Sequence, residues 1–197
     1  MLKKYTDILL DLGIGSATAQ QLFWEHATLA EWPKSTTVFA AGKKNDKEYI
    51  ILSGIAQRFI EQEGSSPVTT GFFVAPAVVT PHFARTHRGK SLFSLQALTD
   101  VVAAEIPVTA LDALRTEYPE FRAFGQRVLE GALVAALHAE AAWRASTARQ
   151  RLLAMRQQFP NLENSVPHHV IASYLGITHV SFSRLRHELA RSNDFIK

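Results

Sequence analysis

The chain has 197 residues, 47% of them hydrophobic and 20% charged, with a formal net charge of +3. That composition belongs to an ordinary globular protein, one large domain or two small ones, and excludes a disordered chain. Cysteine is absent, which removes disulfides, thiolate iron–sulfur clusters and cysteine zinc sites; no run of about eighteen apolar residues argues for a membrane span.

The opening "MLKKYTDILLDLGIG" sets aspartates inside its apolar stretch, against a secretory signal, so the expected compartment is the cytoplasm. The first thirty residues read as helix, with Leu9, Leu10, Leu12, Leu22 and Phe23 as packing positions. From Trp32 to about Val108 the texture changes. "TTVFAAG", "YIILSGIAQRFIEQE", "PVTTGFFVA" and "SLFSLQALTDVVAAEIP" are β-branched and aromatic runs cut by Gly, Pro, Asn, Asp and Ser. Short strands at near-regular spacing predict a roll or barrel, and nothing alternates strand with long helix as a doubly wound sheet would.

Helical texture returns at "VTALDALRTEYPEFRAFGQRVLEGALVAALHAEAAWRAS". Phe121, Val128, Ala135 and Ala142 recur every seven residues, with Phe124, Gly131 and His138 three places later. These seven form a heptad seam of mostly small residues, which predicts a symmetric helix–helix dimer contact. Leu129, Leu133 and Leu137 leave a second apolar face for the chain's own β domain. Thr147 followed by Gln150 spells a capping box that opens a new helix. The expected division is therefore 1–110 for the β domain with its N-terminal helices, 111–145 for the long helix, and 146–197 for a C-terminal domain.

Charge divides the same way. Residues 1–143 carry 13 Lys and Arg against 15 Asp and Glu, whereas residues 144–197 carry 8 against 3. A tail of net +5 points toward an anionic partner, nucleic acid first. Within it lies "VPHHVIASYLGITHVSFSRLRHELAR". Pro167 suits a helix start, Val170, Ile171, Tyr174 and Leu175 follow at helical spacing, and Gly176 supplies a left-handed turn. Thr178 caps a second helix whose Phe182, Leu185 and Leu189 face inward. Ala172 stands four residues before the glycine, where crossing helices leave no room for more. This is the helix-turn-helix pattern, whose second helix enters a major groove. Its outward residues Thr178, His179, Ser181, Ser183, Arg184, Arg186 and His187 are the DNA-contact candidates. Arg184 is the choice for a bidentate contact to guanine, with Thr178 and Arg186 nearer the backbone.

Rival chemistries leave weaker traces. His82 and His87 share a loop without a His-x-His pair or a well-spaced carboxylate, a poor cupin-like metal site. Haem would need a histidine such as His82, His87 or His138. No Gly-rich phosphate loop, nucleophile elbow or paired carboxylates stand out, so neither an enzyme nor a metal site is expected. The alternative is a β-roll ligand- or metal-binding protein whose C-terminal domain docks protein.

On these motifs the whole chain resembles the Crp/Fnr family of bacterial transcription regulators. "VFAAG" with Gly42, and "YIILSGIAQRF" with Tyr49, Leu52, Gly54 and Arg58, look like the turn glycines and core of its roll. "RLLAMRQQFPNLENSVPHHVIASYLGITHVSFSRLRHELA" is similar to its C-terminal domain almost throughout. The resemblance implies an α+β fold: an N-terminal double-stranded β-roll of the cyclic-nucleotide-binding type, a long dimerisation helix, and a C-terminal winged-helix-like helix-turn-helix. It also implies a homodimer on an inverted-repeat DNA site, with RNA polymerase as a further partner, and no membrane. Cyclic-nucleotide binders of the family carry Gly-Glu and a later Arg-Ser/Thr that holds the phosphate. Here "APAVVTPHFARTHRGKSLFSL" lacks the Gly-Glu and sets Ser91-Leu92 near the arginine's place. Cyclic AMP is thus disfavoured. Arg85, Arg88, Lys90 and Ser91 are the substitutes for binding an effector of unknown identity; no cofactor is expected. The recognition helix keeps only Arg184 of the family's usual Arg, Glu and Arg, with His179 and Val180 at the other two places. "ELARSNDFIK" leaves little chain for a wing, which is expected to be short or missing.

Overall fold

A computed structural model describes residues 5–61 and 63–193, with side chains to residue 191. Two helices, α1 (Thr6–Asp11) and α2 (Ala17–His26), come first. Among the described residues ten strands follow: β1 (Thr28–Trp32), β2 (Thr37–Phe39), β3 (Lys47–Ser53), β4 (Ile55–Ile60), β5 (Val68–Val74), β6 (Ala77–Val78), β7 (Thr86–His87), β8 (Lys90–Ser91), β9 (Ser94–Ala97) and β10 (Val101–Pro107). A short helix, α3 (His82–Arg85), interrupts them before β7. The rest is helical: α4 (Val108–Glu117), α5 (Pro119–Ala145), α6 (Ala148–Gln158), α7 (Leu162–Ser165), α8 (His168–Tyr174) and α9 (His179–Asn193).

The strands pair antiparallel into two four-stranded sheets, β1-β10-β3-β6 and β2-β9-β4-β5, with β7-β8 as a small hairpin. Alternation explains the near-continuous burial of β3. Tyr49 and Ile51 point into the space between the sheets with Trp32, Phe39, Leu95 and Ala103, while Ile50 and Leu52 point the other way. That outer face is covered by Leu9 and Phe23 of α1 and α2, Leu111 and Leu114 of α4, and the start of α5. A strand buried on both faces reads as an apolar run.

The first turns of α5 are bolted to this layer. Glu120 accepts from the Gly15 and Ser16 amides at 2.5 and 2.9 Å and from the Ser16 hydroxyl at 2.6 Å, and Arg127 donates to the Gly13 carbonyl at 3.0 Å. Phe121 and Phe124, expected on a dimer seam, are instead 0% and 2% exposed within the chain's own core. The leucine face expected to pack on the roll is bare: Leu133 and Leu137 are more than half exposed, and Leu129 is exposed beside them. Heptad spacing puts Phe121 and Phe124 on one face, and the chain's own α2 and α4 cover that face at this end of the helix.

After α5, Thr147 caps α6 by accepting from the Gln150 amide at 3.3 Å, and Gln150 returns to the Thr147 amide at 2.8 Å. The C-terminal helices share one core, with Leu152, Met155, Ile171, Leu175 and Phe182 at its centre. Ile55, Phe72 and Leu98 of the roll join the same cluster. The fold is α+β: a double-stranded β-roll, a long helix, and a helix-turn-helix lying against β5. Among the described residues no strand follows α9; the expected wing bears on residues 194–197, which lie outside the described residues. No helix among the described residues is long and apolar enough to cross a membrane.

Candidate nucleic-acid interface

The corner between α8 and α9 is closed by backbone bonds that need a left-handed residue. Gly176 has φ +65°, the Leu175 amide donates to Ile171 O at 2.9 Å, and the Ile177 amide donates to Ala172 O at 3.0 Å. This is the hydrogen-bonding pattern by which a glycine ends a helix. Arg151 secures the corner from α6, donating to Leu175 O at 2.9 and 3.2 Å and to Ser146 O at 2.5 Å. Its guanidinium stacks 4.7 Å above the Trp143 ring, so α5, α6 and the turn are tied at one point.

Thr178 begins α9. Its hydroxyl accepts from the Ser181 amide at 3.1 Å and donates to the Ser181 hydroxyl at 2.9 Å, and its carbonyl accepts from the Phe182 amide at 2.9 Å. Phe182 and Leu189 are buried against α8, where Ile171 and Ala172 are also buried. The opposite side is open: Thr178, His179, Ser181, Ser183, Arg184 and His187 are all exposed.

Two features of this surface escaped sequence reasoning. Val180 is 65% exposed, and with Arg184, His187 and Arg191 it forms one stripe at i, i+4, i+7 and i+11. The available signal was its phase, since Val180 is out of step with Phe182, Leu185 and Leu189. A bare valine among polar groups suits a thymine methyl. Arg186, in contrast, is turned back into the domain. Its Nε stands 3.2 Å from Glu163, its Nη1 3.2 Å from the His168 ring, and its guanidinium 5.7 Å over Phe182. Glu163 also takes Arg156 at 2.8 and 3.1 Å. Burial works against its charge, but the two guanidinium partners outweigh it and hold its carboxyl below the ordinary glutamate value. Arg186 is thus half-buried and engaged with Glu163 and His168 at the edge of α9.

The effector candidates do not converge. Arg85 is 1% exposed; it donates to Thr80 O at 3.0 Å, to Asn45 Oδ1 at 2.9 Å and to Lys47 O, and lies over the Phe39 and Tyr49 rings. Those bonds commit it to the core of the roll. Arg88 and Lys90 are exposed on the β7–β8 hairpin. The Ser91 hydroxyl is buried with no partner among the described residues. Of the seam residues outside the core, Val128 and Ala142 are half-buried and Gly131, Ala135 and His138 exposed. His82 is occupied with Asn45 O at 2.7 Å, and His87 is exposed.

No protein-family model and no curated protein matches the sequence. Solved structures do match in shape. FixK2 from Bradyrhizobium japonicum aligns over 85% of this chain and 86% of its own at 18% identity, with a TM-score of 0.71. CLP from Xanthomonas campestris, described as a c-di-GMP responsive global regulator, aligns over 90% and 93% at 16% identity with a TM-score of 0.70. A CooA mutant from Carboxydothermus hydrogenoformans aligns over 87% and 79% at 18% identity, with a TM-score of 0.69. These neighbours are regulators of the Crp/Fnr family, and this chain has their fold.

Proposed function

We propose that two copies of this chain form a cytoplasmic transcription regulator of Crp/Fnr type that reads duplex DNA with α9. The observation that carries the reading is the two-sidedness of α9. One side, Phe182 and Leu189, is buried on α8; the other, Val180, Arg184, His187 and Arg191, is exposed and basic. A helix held by its apolar side at a fixed corner is what insertion into a major groove requires. Neighbours that are regulators rather than enzymes support the same reading.

The dimer contact lies along the free part of α5. Leu133, Val134 and Leu137 are each more than half exposed on a helix whose earlier turns are fully engaged, and an uncovered apolar stripe of that kind marks an association surface. Two-fold symmetry then places the two α9 helices on an inverted repeat with half-site centres ~34 Å apart. A signal in the roll changes the set of α5 and with it the spacing of the recognition helices. Contact with RNA polymerase is carried over from likeness alone. The test is selection of bound sequences from random duplexes, followed by a salt titration of binding. Selected inverted repeats and a steep loss of affinity with salt support the reading; protein partners captured in place of DNA would replace it.

A further inference from the structure

Val180 is 65% exposed, more than any other large apolar residue among the described ones. It sits in the first turn of α9, two residues after the capping Thr178. Folding gains little from it there. A valine left in water buries no apolar surface, and a β-branched residue forms helix less readily than alanine or leucine. A residue that departs from the local pattern with no gain in packing points to a contact outside the chain.

The surroundings sharpen this. Among the described residues no other large apolar side chain of α8 or α9 is exposed. The residues on either side of Val180 are engaged at the start of the helix. The His179 ring stacks with that of His168, centroids 6.5 Å apart, and the Ser181 hydroxyl accepts from Thr178 at 2.9 Å. The next exposed residue on the stripe of Val180 is Arg184, one helical turn on. Four residues set the two about 6 Å apart along the axis, against about 3.4 Å between successive base pairs. In a major groove they fall on base pairs one or two steps apart, the valine short and stiff, the arginine long.

Base edges in that groove present donors and acceptors, and one apolar group, the methyl on C5 of thymine. Cytosine lacks it unless C5 is methylated. Methylation leaves the Watson–Crick edge and the partner guanine as they were, so a side chain that touches only the methyl group responds to that change alone.

We propose that Val180 reads a pyrimidine C5-methyl group close to the guanine read by Arg184. The chain then prefers thymine to uracil at that position, and gains affinity when a cytosine placed there is methylated. This rests on the reading of α9 as a DNA-contacting helix and adds the base group that its valine selects. It also makes binding at such a cytosine sensitive to the methylation state of the DNA.

The test uses the full chain and duplexes that differ by single methyl groups. In the inverted repeat selected for binding, each thymine is replaced in turn by deoxyuridine, with adenine kept opposite. At one thymine in each half-site, uracil is expected to weaken binding about three- to fivefold, the worth of one buried methyl group. A cytosine–guanine pair set at the same place should bind more tightly, by a similar factor, when the cytosine carries a C5-methyl. Val180→Ala should remove both preferences while unfolding at the temperature of the parent or above it, since alanine is the better helix former. Val180→Thr, which keeps one methyl group, should retain part of each. A parent protein indifferent to uracil at every thymine overturns the proposal and leaves the regulator reading in place. A preference undiminished in Val180→Ala does the same. Failure of the parent to bind any duplex overturns both.

Discussion

The ring of Trp143, near the end of the long helix, stands where a side chain on Gly176 would have to go: a Cβ there would meet Trp143 Cη2 at 2.4 Å. The glycine therefore serves two constraints, a φ of +65° and the approach of α5 to the α8–α9 corner. Gly176→Ala should cost about 1–2 kcal/mol for the left-handed backbone and about 1–3 more for the overlap. Pairing it with Trp143→Ala should return the second part but not the first. Thermal denaturation of the two single variants and the double variant measures the coupling; strictly additive losses would show that the two residues do not touch.

Glu163 predicts an acid limb for the C-terminal domain. Its folded pKa lies below the ordinary glutamate value through Arg156 and Arg186, burial notwithstanding. The unfolded chain therefore takes up the proton first as pH falls. The stabilisation is complete above the unfolded value and disappears as pH drops through the folded one. Chemical denaturation at a series of pH values below about 5 should show a loss that Glu163→Gln flattens.

Arg186→Ala should lower stability by about 1–2 kcal/mol through the lost pair with Glu163, and weaken DNA binding equally on all sequences. Denaturation and binding measured on the same preparation separate this from a base contact, which would spare stability and change sequence preference.

The long helix should answer differently at its two ends. Phe121→Ala should cost about 3–5 kcal/mol of stability, because the ring is fully buried on the roll. Leu133→Glu with Leu137→Glu should leave stability nearly unchanged and yield monomers in sedimentation. A dimer mass surviving the second pair would move the interface elsewhere.

What could be read in the sequence was what is local. The α8–α9 corner is set by Ala172, Gly176, Thr178 and Phe182, all within eleven residues, and their spacing implies each role. The capping box at Thr147 and Gln150 is local in the same sense. Tertiary partners were not legible. Phe121 and Phe124 share a face by spacing, but only the fold says that Phe23 and Leu111 cover that face. Arg186 reads as a basic outward residue until Glu163, twenty-three positions earlier, is brought beside it. Arg85 stands in a loop of charged residues, yet its three backbone and side-chain acceptors draw it inside.

The central claim is that Arg184, exposed on α9, reads a base. Binding of the parent protein and Arg184→Ala should be measured by fluorescence anisotropy on a selected inverted repeat and on its scrambled counterpart, at several salt concentrations. The parent should bind the repeat more tightly, with a logarithmic salt slope of about −0.9 per phosphate contacted. The variant should lose about 1–3 kcal/mol on the repeat and little on the scrambled duplex. Equal losses on both duplexes, or no binding by the parent even at low salt, would contradict it.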